Sequence, residues 1–189
     1  MGKRVGLLGG TFNPPHLGHL IIANEVLDQF GLDEVRFMPA GSPPHKQIKG
    51  DTSSEQRKEM VICAIENHAR FVLEPIELEK EGPSYTYETI KLLIEREPDS
   101  EFHFIIGGDM IDYLPKWHKI EELSRLIQFV GVQRTGYETD SPYNVIMADV
   151  PQIEISSTMI RDRIAAGKTV KYLIPDGVSD YIREGKLYG

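Results

Sequence analysis

The chain reads as an α/β protein: a doubly wound parallel sheet with helices on both faces and a small C-terminal helical part. Three observations predict it. Short, continuously apolar runs alternate with amphipathic stretches, the pattern of strands covered on both faces and joined by crossover helices. Two of those runs end in a glycine pair that leads into a helix, Gly9-Gly10 and Gly107-Gly108. No internal repeat or low-complexity tract interrupts the alternation. Sheets of this kind take their ligands at the carboxyl edge of the strands.

Arg4–Leu8 is the first strand, apolar throughout its middle and ended by Gly9-Gly10. Gly18–Phe30 follows as a helix, with Leu20, Ile21, Ala23 and Leu27 near one side and Gly31 as its C-cap. Glu34–Met38 is a second strand, closed by Pro39. Ala40–Thr52 is a loop rich in Gly, Pro, Lys and Ser, after which Ser53 or Ser54 caps a helix running to about His68. Phe71–Leu78 is expected as a strand, and Pro83-Ser84 opens a helix to about Arg96 with Ser84 as its cap. Phe102–Ile106, Phe129–Gln133 and Val145–Val150 are further strands, with Ile120–Leu126 helical between the first two. Thr158–Ala166 and Asp176–Glu184 close the chain as helices.

At 189 residues and 40% hydrophobic content the sequence is expected to form a single domain over 1–189 with a real core. The one cysteine, Cys63, cannot form an intramolecular disulfide and falls on the apolar side of a helical pattern, so it is expected in the core. No Cys/His cluster has metal-ligand spacing, and no metal-ligating residue is assigned. The cysteine usage fits a reducing cytoplasm, and no apolar run is long enough for a signal or membrane helix. A net charge of −8 without a basic run argues against nucleic acid and anionic membrane as partners. Small anionic ligands remain compatible with it, since a few placed cations and amides can hold a phosphate.

The most informative stretch is Gly9-Gly10-Thr11-Phe12-Asn13-Pro14-Pro15-His16-Leu17-Gly18-His19. A strand ends, glycines permit a tight turn, and a helix begins whose exposed N–H groups form an anion site. His16 and His19 stand three apart at the helix entry, so both imidazoles reach the same region and can donate to phosphate oxygens. Gly18 between them removes a side chain that would keep a ligand from the backbone. The pattern is neither the dinucleotide fingerprint nor a P-loop.

This stretch resembles the nucleotide-binding signature (T/H)xGH of the nucleotidyltransferase superfamily, here His16-Leu17-Gly18-His19. The resemblance implies a Rossmann-like sheet on which Gly9, Gly10, Thr11, Phe12, His16, Gly18 and His19 bind the triphosphate of a nucleotide. The longer string GGTFNPPHLGH is similar to the nicotinate mononucleotide adenylyltransferases, which commonly read GGTFDPPHxGH. Asn13 departs from their usual Asp, a near-isosteric change.

A second motif, Ile155-Ser156-Ser157-Thr158-Met159-Ile160-Arg161, lies about 140 residues later. Ser156 or Ser157 can cap the helix that follows, and a guanidinium at Arg161 can grip phosphate in a bidentate way. It resembles the superfamily's ISSTxxR signature, which implies ATP contacts for Ile155, Ser156, Ser157 and Arg161. His16, His19 and Arg161 are then the expected catalytic residues.

The middle of the chain selects the second substrate. Gly82-Pro83-Ser84-Tyr85-Thr86 resembles the family's GxSYT element, Ile106-Gly107-Gly108-Asp109 its IGxD element, and Leu114-Pro115-Lys116-Trp117-His118 its LxxW element. These imply that Gly107 and Asp109 contact ATP, with Asp109 on ribose hydroxyls. They also imply that Ser84, Tyr85, Thr86, Asp109, Lys116, Trp117 and His118 bind the mononucleotide. Trp117 would stack on the pyridine ring, and backbone N–H groups of Thr86 and His118 would hold its carboxylate. Pro43-Pro44-His45-Lys46 resembles the family's PPHK loop and places His45 and Lys46 near phosphate. Ala40 stands where relatives commonly carry Asn and is left out of the site. Gly185-Lys186-Leu187-Tyr188 looks like the family's NGLY ending.

No nucleophile for a covalent intermediate stands out, so the expected chemistry is direct attack of a mononucleotide phosphate on the α-phosphorus of ATP, with Mg²⁺ carried largely by phosphate oxygens. A pantetheine-phosphate adenylyltransferase and a non-catalytic nucleotide sensor are the competing readings. Trp117 and Ser84-Tyr85-Thr86 weigh against the first, the intact His16, His19 and Arg161 against the second. The partners expected are ATP and nicotinate mononucleotide, with homo-oligomer formation left open.

Overall fold

A computed structural model describes residues 2–41, 52–80, 82, 84–132 and 141–189. In chain order the elements are β1 (Arg4–Gly10), α1 (Leu17–Gln29), β2 (Glu34–Pro39), α2 (Ser54–Ile65), β3 (Phe71–Leu73) and α3 (Ile76–Glu79). They continue with α4 (Thr86–Arg96), β4 (Glu101–Gly107), α5 (Gly108–Ile111), a 3₁₀ turn (Leu114–Lys116) and α6 (Ile120–Leu126). β5 (Gln128–Val132), β6 (Val145–Ala148), α7 (Ser157–Ala165) and α8 (Asp176–Glu184) complete the set.

The six strands form one sheet in the order β3-β2-β1-β4-β5-β6, and every neighbouring pair is parallel. Alternation along the strands splits the core in two. Leu8, Val35, Phe37, Ile105 and Val130 face a cluster closed by α1, α2, α7 and α8. Val5, Leu7, Phe102, Phe104 and Phe129 face a second cluster closed by α4, α5 and α6. The central strands are therefore apolar on both faces, as a doubly wound sheet requires. Cys63 lies half-buried against the first cluster rather than within it.

The expected strand Phe71–Leu78 is corrected: pairing stops at Leu73, and α3 follows. Pro75 has no N–H for a ladder and adopts helical backbone at φ −84°, ψ 0°. The buried Glu74 beside it turns to meet arginines instead. The helix expected from Ser84 begins two residues later, at Thr86, with Tyr85 rather than Ser84 in the cap position. The cap of α2 falls on Ser53, whose hydroxyl accepts from the Gln56 N–H at 3.1 Å while Gln56 answers the Ser53 N–H at 2.8 Å.

An ion-pair network that sequence gave no hint of ties the β3 edge together. Arg36 projects from β2 among Glu34 at 2.7 Å, Glu74 at 3.2 Å and both oxygens of Glu97 at 2.7 Å. Arg96 closes the network onto Glu74 and Glu97. The hydrogen bonds from Arg36 outweigh burial and hold the Glu97 carboxyl down to about 2. Against an ordinary value of 4.5, its stabilisation is complete above about pH 4.5 and disappears as the pH falls through about 2. Glu97→Gln is expected to cost about 2 kcal/mol of folding free energy at neutral pH, the scale of a charged hydrogen bond. Urea unfolding should show that difference shrinking between pH 4.5 and 2; an equal cost across the range would contradict the network.

Candidate active site

β1 and β4 are neighbours in the sheet, yet the chain winds outward from them in opposite directions, which opens a crevice at their carboxyl ends. A cavity of about 800 Å³ occupies it. Leu8, Gly9, Gly10 and Thr11 line it from β1, and Ile105, Ile106 and Gly107 from β4.

The turn that leaves β1 is strained and heavily anchored. Phe12 sits at φ +50°, left-handed backbone that costs a bulky residue about 1–3 kcal/mol. Its ring is buried against His19 at 5.0 Å and Phe37 at 5.8 Å. The carbonyls of the turn are gripped from outside it. Arg57 of α2 donates to Thr11 O at 3.0 Å, Arg161 of α7 to Asn13 O at 2.8 Å, and the Ser157 hydroxyl to Pro14 O at 2.8 Å. Tyr188 donates its hydroxyl to Asn13 Oδ1. The two sequence motifs thus meet directly, with Arg161 also bonded to Thr158 Oγ1 at 3.2 Å. A Cβ at Gly18 would stand 3.0 Å from His16 Nδ1, so the glycine also gives that imidazole room.

His16 and His19 stack with centroids 3.7 Å apart. The His16 N–H donates to His19 Nδ1 at 3.1 Å, which leaves the proton of neutral His19 on Nε2, the ring nitrogen remaining for the cavity it lines. Burial lowers His16 to about 4, and burial with His16 alongside lowers His19 well below the ordinary value. His16 Nδ1 is buried without a hydrogen-bond partner. Two neutral imidazoles therefore wait where an anion would raise their affinity for protons.

On the other wall, α4 begins without a side-chain cap, and Ser84, Tyr85 and Thr86 line the cavity beside those open N–H groups. The Ser84 hydroxyl is buried and has no hydrogen-bond partner among the described residues. The Tyr85 ring packs on His118 at 4.8 Å, which brings together the two segments expected to hold a carboxylate. Trp117 is both core and cavity wall, edge-on to Phe104 at 5.9 Å and Phe129 at 6.1 Å. Asp109 is exposed in the first turn of α5, whose cap position falls on Gly107, so Asp109 is not a helix cap.

Not every expected residue reaches the cavity. Phe12, His16 and Gly18 support its wall from beneath; Lys116 lies outside, its ammonium 5.1 Å from the Tyr113 ring. Ser156 caps α7 through the Met159 N–H and borders a separate shallow depression with Thr158. Ile155 rests against the core. Arg161 starts from the second turn of α7 and faces the Asn13 carbonyl. His45 and Lys46 fall outside the described residues, as does most of the Ala40–Thr52 loop. Ala40, left out of the expected site, lines the cavity, with its N–H on Gly10 O at 2.8 Å. So does Glu77, which accepts from Thr89 Oγ1 at 3.2 Å and is raised by burial. In a row reading Glu74-Pro75-Ile76-Glu77-Leu78-Glu79 nothing distinguished that carboxylate from a solvated one. Among the described residues no group of three His, Cys, Asp or Glu side chains could hold a metal.

Proton NMR of the ligand-free protein is expected to show His16 titrating near pH 4. Because this lies below the unfolded value of 6.5, the stability from neutral His16 is complete above pH 6.5 and lost as pH falls through about 4. An ordinary titration would mean that the imidazole is not buried as described.

A family model described as cytidylyltransferase-like matches residues 7–163. The chain is 54% identical over 186 residues to the nicotinate-nucleotide adenylyltransferase of Bacillus subtilis, covering 98% of each. It is 55% identical over 189 residues to a probable nicotinate-nucleotide adenylyltransferase of Geobacillus thermodenitrificans, covering all of this chain and 87% of that one. The Plasmodium falciparum nicotinic acid mononucleotide adenylyltransferase complexed with NaAD superposes with a TM-score of 0.81 at 21% identity, over 98% of this chain and 97% of that one, a likeness of fold. With a cytidylyltransferase-like core and full-length relatives above half identity, the chain belongs to the nicotinate-nucleotide adenylyltransferase family.

Proposed function

We propose that this chain, working as one domain, transfers AMP from ATP to nicotinate mononucleotide, giving nicotinate adenine dinucleotide and pyrophosphate for NAD biosynthesis. The observation that carries the reading is the single cavity at the switch point. Its β1 wall presents His19 and the glycine turn, and its opposite wall presents Trp117, Asp109 and the uncapped start of α4.

The mononucleotide 5′-phosphate is already ionised and needs no general base. One of its oxygens attacks the α-phosphorus of ATP as the bond to pyrophosphate breaks, so catalysis rests on positioning and charge stabilisation. His19 donates from Nε2 to a phosphate oxygen, and His16, stacked behind it, fixes its plane and supplies a further donor once protonated. The N–H groups of the Gly10 to Phe12 turn receive the triphosphate; those expected at the α1 start are already taken, Leu17 N–H by Leu173 O at 3.0 Å and His19 N–H by His16 O at 2.9 Å. Ser157 and Arg161, which hold the turn in the free chain, shape that same site, with Ile155 and Ser156 flanking them. When bound, Mg²⁺ supplies neutralisation of triphosphate charge. Asp109 accepts from ribose hydroxyls, while His45 and Lys46 complete the phosphate contacts.

Trp117 stacks on the pyridine ring, and the Thr86 and His118 N–H groups with the Ser84 hydroxyl meet the carboxylate. An amide in that slot would turn its NH₂ towards donors and leave them unpaired, a mismatch far more costly than a lost methylene. The placement fits a cytoplasmic enzyme, in line with the lack of a membrane-spanning helix among the described residues.

Dinucleotide formation from Mg-ATP should proceed with nicotinate mononucleotide and be much weaker with nicotinamide mononucleotide or phosphopantetheine. Equal turnover of both pyridines would discard the carboxylate slot; product from phosphopantetheine alone would discard the reading. His19→Ala is expected to lower kcat by roughly 10²–10³, the scale of a lost oxyanion donor. Trp117→Ala should raise KM for the mononucleotide by at least about fivefold, since aromatic contacts add roughly 0.5–1.5 kcal/mol to area burial. Unchanged constants in either variant would remove the residue from the mechanism.

A further inference from the structure

Arg57 is fully buried, and among the described residues no carboxylate stands beside it to balance its charge. One NH₂ group donates to Thr11 O at 3.0 Å and the other to Ser54 Oγ at 3.2 Å, while Nε has no partner among the described residues. Burying a cation without a counter-charge is expensive, and an apolar side chain of similar size would fill the same space more cheaply.

The geometry of the peptide it holds suggests what that cost sustains. Of the peptide bonds near the turn only Asn13-Pro14 is cis, so the one joining Thr11 to Phe12 is trans. In a trans peptide the carbonyl and the N–H point in opposite directions. With Thr11 O drawn onto Arg57, the Phe12 N–H is turned away from the arginine, and it has no acceptor among the described residues. Gly10 and Thr11, on either side of the preceding peptide, line the cavity.

The orientation is not the one that the backbone prefers. Phe12 at φ +50° is in the left-handed range, and half a turn of this peptide would return its φ to the negative range that bulky residues ordinarily adopt. That same rotation would replace the N–H by a carbonyl oxygen facing incoming phosphate.

We propose that Arg57 is a positioning residue that locks the Thr11–Phe12 peptide with its N–H directed at the phosphates of ATP. α2 thereby sets the polarity of the anion site without touching the nucleotide. The inference rests on the reading that Gly9–Phe12 receives ATP.

The test is calorimetric titration of the full chain with Mg-ATP and, separately, with nicotinate mononucleotide, for wild type, Arg57→Met and Arg57→Lys, beside their melting temperatures. Arg57→Met should keep a cooperative fold and bind Mg-ATP at least about tenfold more weakly, while its affinity for the mononucleotide stays within about twofold. Lysine, which retains one charged donor, should restore part of the ATP affinity. A merely structural role would move both ligands together and in step with the melting temperature, and that result overturns the proposal. So does ATP affinity in Arg57→Met within about twofold of wild type. If Arg57→Met does not fold, Arg57→Lys decides by the same split between ligands. A wild-type chain that binds no ATP overturns the functional reading itself, whatever the variants do.

Discussion

The turn after β1 demands backbone that an aromatic residue resists, and much of the molecule is arranged to hold it there. Phe12 keeps its left-handed conformation because its ring is trapped between His19 and Phe37 while the carbonyls around it are claimed by Arg57, Arg161 and Ser157. The grips come from two distant helices, Arg57 on α2 and both Ser157 and Arg161 on α7. Of the carbonyls held, only that of Thr11 belongs to a peptide with an N–H, because prolines follow both Asn13 and Pro14; drawing it onto Arg57 turns the Phe12 N–H the other way, so that donor is set by a support rather than by the turn's own sequence. The same logic explains the paired histidines. One orients the other through its backbone N–H, and burial keeps both neutral until an anion arrives.

The two walls of the cavity work by different physics. The β1 wall is made of dipoles and imidazoles that favour spread negative charge. The opposite wall is aromatic and apolar, Phe104, Ile106 and Trp117, with a few polar groups set into it. Ser84 and the open start of α4 are the exceptions there, and their lack of protein partners is what makes them selective for a ligand group. Glu77 ties the end of β2 to α4 through Thr89 and the Gly41 N–H, so the two segments bordering the cavity share one buried carboxylate.

Much of this was legible in the residues, and the failures have identifiable causes. Glycine pairs at the ends of β1 and β4 located the switch point because a parallel sheet must open where its winding reverses. The histidine and serine–arginine motifs meet in the structure, the second holding the turn that the first follows. What sequence could not convey was which way a side chain faces when its local pattern is ambiguous. Arg161 points back to hold Asn13 as well as lying near the site, and Glu74 and Glu77 sit in an acidic row that reads as solvated. Pro75 ended a strand that apolar content alone had extended, because missing one N–H mattered more than hydrophobicity. Arg57 and Arg36 were invisible for the same reason: a buried arginine on an amphipathic element looks like any surface one until its partners are placed.

The supports of the turn also lie far from it along the chain. Ser157 and Arg161 stand 143 and 148 residues from the carbonyls they hold, and Tyr188 stands 175 residues from Asn13. Contacts of such separation form slowly, after nearer ones have closed the intervening loops. During synthesis β1 to β4 emerge well before α7, so a nascent chain can pair its central strands while the turn after β1 still lacks its outer supports. The full set of supports around the turn is thus among the last features that the folding polypeptide acquires.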